Sequence, residues 1–166
     1  AGGVAGVVRN NSGLQPLGAP YEETRLMTQT PGLTPAAVQA ETVLNKLSQH
    51  YPAELRDVIV VSDESTDATD SSVNEISKST GRVRLLRQVP RQGKTAALNL
   101  AVLHATGEVL VFSDANSLYA KDAVARLVAM FGDPRVGYAS GQMKYVNADG
   151  SLVGDGCSAY MRYENA

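Results

Sequence analysis

The sequence predicts an α/β domain, a mostly parallel sheet flanked by helices, and three observations lead there. The runs "DVIVVS" (57–62) and "EVLVFS" (108–113) are short, β-branched and continuously apolar, as strands buried on both faces are. Each is followed by a polar turn and then by a segment whose apolar residues recur at helical spacing. The connections are short, as in the strand–helix–strand units of a parallel sheet.

In chain order, "GVAGVV" near the start reads as a first strand. Residues 9–34, rich in Gly, Pro, Thr and Gln, read as a long irregular loop or insertion. A connection of that length is uncommon in a compact domain, and it marks a functional loop, a mobile segment or a first strand placed elsewhere. "TPAAVQAETVLNKLSQHY" predicts a helix, with Thr34 as cap, Pro35 in the first turn, and Ala37, Val38, Val43, Leu44 and Leu47 as its apolar residues. After the 57–62 strand, "DESTDAT" supplies capping residues for a helix carrying Val73 and Ile76 and stopping at Gly81. "VRLLR" (83–87) predicts a strand. Lys94 to Ala105 predicts a helix with Leu98, Ala101, Val102 and Ala105 on one face. Beyond the 108–113 strand, Ala120 to Phe131 predicts a helix packed through Val124, Leu127, Val128 and Phe131. "VGYAS" (136–140) predicts a strand, and "QMKYVNADGSLV" a hairpin turning at Asp149-Gly150.

Composition narrows the function. The 166 residues are enough for one domain with a real core. Hydrophobic residues make up 43% and charged residues 19%, the balance of a globular chain. Fifteen basic residues against 17 acidic give a net charge of −2, so no basic surplus drives binding to nucleic acid. The single cysteine, Cys157, excludes an internal disulfide and a cysteine-based zinc site, and fits a reducing compartment. No apolar run reaches the roughly 20 residues needed to span a bilayer. The opening residues lack the pattern of a secretory signal. A cytoplasmic location is expected.

Gly93-Lys94-Thr95 shares three letters with a P-loop. That loop requires glycine five positions before the Gly-Lys pair, where this chain has Gln88, and Pro90 removes a backbone donor. The Walker reading fails. What remains is Lys94 in the first turn of a helix, close to Arg87 and Arg91: either solvated surface charges or a seat for an anion such as a diphosphate. In open α/β sheets, ligands bind beyond the carboxyl ends of the strands. Two strands end there in polar clusters, Asp63, Glu64 and Asp67 after one, Asp114 and Asn116 after the other. As neighbouring strands they would share one crevice with the Lys94 helix. Oxygen ligands beside a basic cluster suit a divalent metal and a diphosphate together, although Asp63, Ser65 and Asp67 are also ordinary capping residues.

Four motifs in succession, "VIVVSDESTDAT", "GKTAALN", "VFSDAN" and "DPRVGYASGQM", resemble the family 2 inverting glycosyltransferases of GT-A fold. The likeness is greatest to the branch of membrane-associated polysaccharide and glycolipid synthases. It runs from about Tyr51 to Glu164. The resemblance implies a nucleotide-diphosphate sugar donor, uridine-based, with Mg²⁺ or Mn²⁺ at an Asp-x-Asp motif. It implies that Asp63 contacts the nucleoside, with Glu64 among the nucleotide-sugar-binding residues and Ser65 and Asp67 shaping the following helix start. Arg91 and Lys94 would lie near the phosphates, Asn99 would support that loop, and Asp114 with Asn116 would hold the metal. The acceptor would be a saccharide or a lipid-linked group.

Three features depart from that pattern. The metal motif reads Asp-Ala-Asn, with a neutral second ligand. "VVRNNSG" is a faint echo of the family's opening turn. The general base of an inverting transfer is expected beyond Ala166, which makes this chain a donor-binding part, incomplete by itself. His50, His104, Cys157, Met161 and Glu164 are expected to be structural. Two alternatives stay open, a nucleotidyltransferase of related fold and a degenerate, non-catalytic module, as does self-association through exposed apolar surface.

Overall fold

A computed structural model describes residues 6–9, 24–30 and 36–142, with side chains from 37 onward. The expected hairpin at Asp149-Gly150, the Thr34 cap, Cys157, Met161 and Glu164 lie outside the described residues.

The described chain forms β1 (Gly6–Arg9), β2 (Thr24–Thr30), α1 (Ala36–Leu47), β3 (Arg56–Asp63), α2 (Thr69–Thr80), β4 (Val83–Gln88), α3 (Lys94–His104), β5 (Val109–Asp114), α4 (Ala123–Met130) and β6 (Tyr138–Ser140). One sheet joins all six strands in the order β4-β3-β2-β5-β1-β6. β4, β3, β2 and β5 run parallel, whereas β1 is antiparallel to both β5 and β6. The sheet is therefore mostly parallel, as the sequence predicts.

The end of "GVAGVV" does lie in the first strand, β1, though antiparallel to its neighbours. The correction falls on the 9–34 stretch, expected to be irregular, which holds the central parallel strand "TRLMTQT". Thr, Arg and Gln interrupt any apolar run there, so the signal that identifies β3 and β5 is missing. Strand preference reflects the context of neighbouring strands as much as composition.

Alternation along β3 and β5 divides the core into two layers. Val58, Val60, Val109 and Val111 pack with Val43 of α1, Val73 of α2, and Val124, Leu127, Val128 and Phe131 in and after α4. Ile59, Val61 and Leu110 face the other way and pack on Ala97 and Ala101 of α3. Because side chains in a strand alternate with period 2, this parity also fixes where the residues at the strand ends point.

Two helix faces differ from expectation. On α3 the buried residues are Ala97 and Ala101, while Val102 is exposed and Leu98 half-buried. Small residues face the sheet there, so the helix lies close to it. On α1, Leu44 is exposed, and Gln39, Thr42 and Lys46 are buried beside Val43. α2 ends as expected, with Gly81 in the left-handed region (φ 65°) and its N–H on the Ser77 carbonyl, a conformation glycine adopts without a Cβ clash.

Candidate functional site at the carboxyl ends of β3 and β5

Asp63 follows Ile59 and Val61 by even steps, and Asp114 follows Leu110 and Phe112 in the same way. Period-2 alternation therefore directs both carboxylates to the α3 face. The two strands are not adjacent, as the sequence reading supposed; they flank β2, whose Gln29 is level with both Val61 and Asp114. Two inter-strand spacings and two residues of rise put the Asp63 and Asp114 backbones about 12 Å apart.

The turn into α3 bridges them. Asp63 Oδ1 accepts from Gln92 N (2.9 Å) and Gln88 Nε2 (2.6 Å), and Oδ2 accepts from Gly93 N (2.9 Å). One residue on, Lys94 Nζ donates to Asp114 Oδ1 at 2.7 Å. Gly93 reaches this position with φ 84°, which a side chain would oppose. Burial by itself would raise the Asp63 carboxyl, but the two backbone donors, the Gln88 amide and the Arg91 charge together outweigh it and hold the group below its ordinary value.

The other predicted residues divide. Arg91 closes the end of β3: its Nε donates to the Asp63 carbonyl (3.1 Å) and its backbone N–H to Glu64 Oε2 (2.9 Å). Glu64 takes up left-handed backbone at φ 55°. Asp67 Oδ1 accepts from Thr69 N (3.1 Å), two residues on, bracing the turn just ahead of α2, whose N-cap position is Ala68. Ser65 is buried, and its hydroxyl has no partner among the described residues. Asn99 is exposed on α3 and Asn116 exposed beyond β5, so neither is drawn into the Asp63–Lys94–Asp114 arrangement.

Sequence reasoning missed what lies beneath Asp114. Four buried polar residues of α1 and its exit, Gln39, Thr42, Lys46 and Gln49, recur at helical intervals along one stripe. That stripe meets the segment after β5. Thr42 Oγ1 donates to the Ala115 carbonyl (2.7 Å), Lys46 Nζ to the Ser117 carbonyl, and Asn45 exchanges two bonds with the Tyr119 backbone (2.8 and 3.1 Å). Lys46 Nζ also lies 4.5 Å from the Tyr119 ring centroid. Burial pushes its ammonium down to about 8, with Asp114 acting in the opposite sense. The polar repeat was the available signal.

For a divalent metal, Asp114 and Asn116 offer hard oxygen donors. Among the described residues no group of three or more His, Cys, Asp and Glu could hold an ion by itself. The residues fit a partial shell that phosphate oxygens and water complete, the usual arrangement for Mg²⁺.

The fold is that of the GT-A glycosyltransferases. Residues 38–156 match the family described as "Glycosyl transferase family 2", and the chain belongs to it. It is 30% identical over 117 residues to "Probable glycosyltransferase YdaM" of Bacillus subtilis (strain 168), covering 68% of this chain and 28% of that protein. It is 29% identical over 120 residues to "Beta-monoglucosyldiacylglycerol synthase" of Nostoc sp. (strain PCC 7120 / SAG 25.82 / UTEX 2576), covering 68% and 26%. Among solved structures, it resembles a mannosyltransferase, PcManGT from Pyrobaculum calidifontis, in complex with GDP-Man and Mn²⁺. There the TM-score is 0.64 and the identity 32%, over 72% of this chain and 38% of the other. The chain thus spans little more than a quarter of the length of these two curated relatives.

Proposed function

We propose that this chain is the donor-binding part of a family 2 glycosyltransferase that takes a sugar from a nucleotide-diphosphate donor, uridine-based, with inversion at the anomeric carbon. The observation that carries the reading is the turn into α3, which ties Asp63 to Asp114 through consecutive residues, Gly93 and Lys94. In this reading the nucleoside lies by Asp63 and Glu64, and the diphosphate lies between Lys94, Arg91 and Asp114. Ser65, Asp67 and Asn99 shape the surrounding loops.

The acceptor hydroxyl oxygen attacks the anomeric carbon, the bond to the diphosphate oxygen breaks, and the hydroxyl proton passes to a general base. We assign that base to none of the described residues. Lys94 and Arg91 stabilise charge on the departing diphosphate. Asp114 and Asn116 would hold Mg²⁺ or Mn²⁺, which when bound supplies Lewis-acid withdrawal of charge from the phosphates. The likeness to a beta-monoglucosyldiacylglycerol synthase supports a lipid-linked acceptor; a saccharide acceptor and action at the cytoplasmic face of a membrane belong to the same proposal. No helix among the described residues is long and apolar enough to cross one.

Calorimetric titration with UDP and GDP, each with and without Mn²⁺, tests the reading. Metal-dependent binding that D114A removes is expected; no binding of either nucleotide to a folded sample would overturn it. That second result would favour the non-catalytic module, which one observation supports: Lys94 already occupies an oxygen of Asp114. The nucleotidyltransferase alternative draws no support from the family match.

A further inference from the structure

We propose that Lys46 is a positioning residue for the Asp114–Asn116 segment, holding from beneath the turn that presents both side chains. The inference rests on the donor-site reading for its functional meaning, but on separate observations for its geometry.

Lys46 is fully buried (0% exposed), which is rare for a lysine. Among the described residues no carboxylate pairs with its ammonium, which meets the Ser117 carbonyl and the face of Tyr119. Ser117 directly follows Asn116, and its own N–H donates to the Asp114 carbonyl at 3.3 Å. The ammonium therefore grips the far side of the turn that starts at Asp114. Thr42 holds the Ala115 carbonyl and Asn45 holds Tyr119, so three consecutive contacts of α1 fix alternate residues 115, 117 and 119.

α1 is itself anchored. The buried Arg56 guanidinium at the start of β3 donates to the Lys46 carbonyl (2.9 Å) and the Leu47 carbonyl (3.1 Å), the last turn of the helix. A cation there also suits the negative end of the helix dipole. The turn bearing Asp114 and Asn116 is thus referred, through Lys46, to the same strand that bears Asp63.

A methionine or leucine would fill the position without the desolvation cost of a buried ammonium. What neither supplies is a donor to Ser117 and a positive charge under Asp114. Removing the amine should release the turn while leaving the fold in place.

The test uses the whole chain and the variants Lys46→Met and Lys46→Gln, the latter keeping a donor without the charge. Amide hydrogen exchange should accelerate at least tenfold across residues 115–119 in K46M, with β3 and α2 unchanged. UDP affinity in the presence of Mn²⁺ should fall at least fivefold, and K46Q should recover part of both effects. Unchanged exchange and affinity in folded K46M would overturn the proposal. So would failure of both variants to fold, which would make Lys46 a residue of the core. Exchange needs no ligand, so a wild-type chain that binds no UDP removes the donor-site reading and still leaves the role of Lys46 decided.

Discussion

Lys94 Nζ stands 2.7 Å from Asp114 Oδ1, while the N–H of the preceding residue, Gly93, is bonded to Asp63. One turn of backbone thereby sets the spacing between two carboxylates on strands that do not touch. The Lys94–Asp114 pair is half in solvent, the lysine side chain being 60% exposed. Exposed pairs of this kind contribute about 0–1 kcal/mol to stability. Lys94→Met should therefore leave the thermal midpoint nearly unchanged and weaken UDP binding about tenfold or more. Calorimetry beside a thermal melt separates the two effects; equal affinity in mutant and wild type would remove Lys94 from the phosphate site.

Asp63 differs, because its carboxylate is buried and accepts three N–H donors. Asp63→Ala strands those donors and should cost roughly 2–4 kcal/mol in a urea titration. Its folded pKa is depressed. The stabilisation is therefore present above the ordinary carboxylate value and is lost as pH falls through the folded value. In acid, the stability difference between wild type and Asp63→Ala should shrink.

The metal motif invites a gain rather than a loss. Asn116 is neutral and exposed, so Asn116→Asp adds a charged oxygen donor at little structural cost. Mn²⁺ should then bind about tenfold tighter in the presence of UDP, and a chelator should reverse the gain. An unchanged metal affinity would place the ion elsewhere.

Lys46 adds a pH dependence of the same sign as that of Asp63, but in an alkaline window. Its folded pKa is lowered to about 8 by burial. Below that value folded and unfolded states both carry the proton, and the full penalty of burying charge stands. As pH rises from about 8 toward the unperturbed value of about 10.4, the folded state sheds its proton first, and this residue's contribution improves. Denaturation at pH 7 and pH 10 should show wild type gaining on Lys46→Met at the higher pH.

Phe131 is fully buried in the layer shared by α1, α2 and α4. Phe131→Ala should lose about 3–5 kcal/mol, as core aromatics do. Nucleotide affinity in whatever remains folded should change less than in Lys94→Met, since α3 lies on the other face of the sheet.

Local pattern in the sequence determined a good deal. The apolar runs of β3 and β5 specify two buried strands, and their period of 2 already sends Asp63 and Asp114 to one face. Gly81, and Asp67 before α2, mark helix ends because their conformational and hydrogen-bonding preferences act within a few residues. Motif order from "VIVVSDESTDAT" onward carried the family. The tertiary structure alone decided that "TRLMTQT" is the central strand and that β3 and β5 flank it rather than touch. It also decided that the stripe of α1 bearing Gln39, Thr42 and Lys46 faces inward. Each depends on partners distant in the chain: paired strands for β2, and for α1 the carbonyls of Ala115 and Ser117, more than 70 residues away. Periodicity registers which residues avoid water, but not which polar ones find a partner inside.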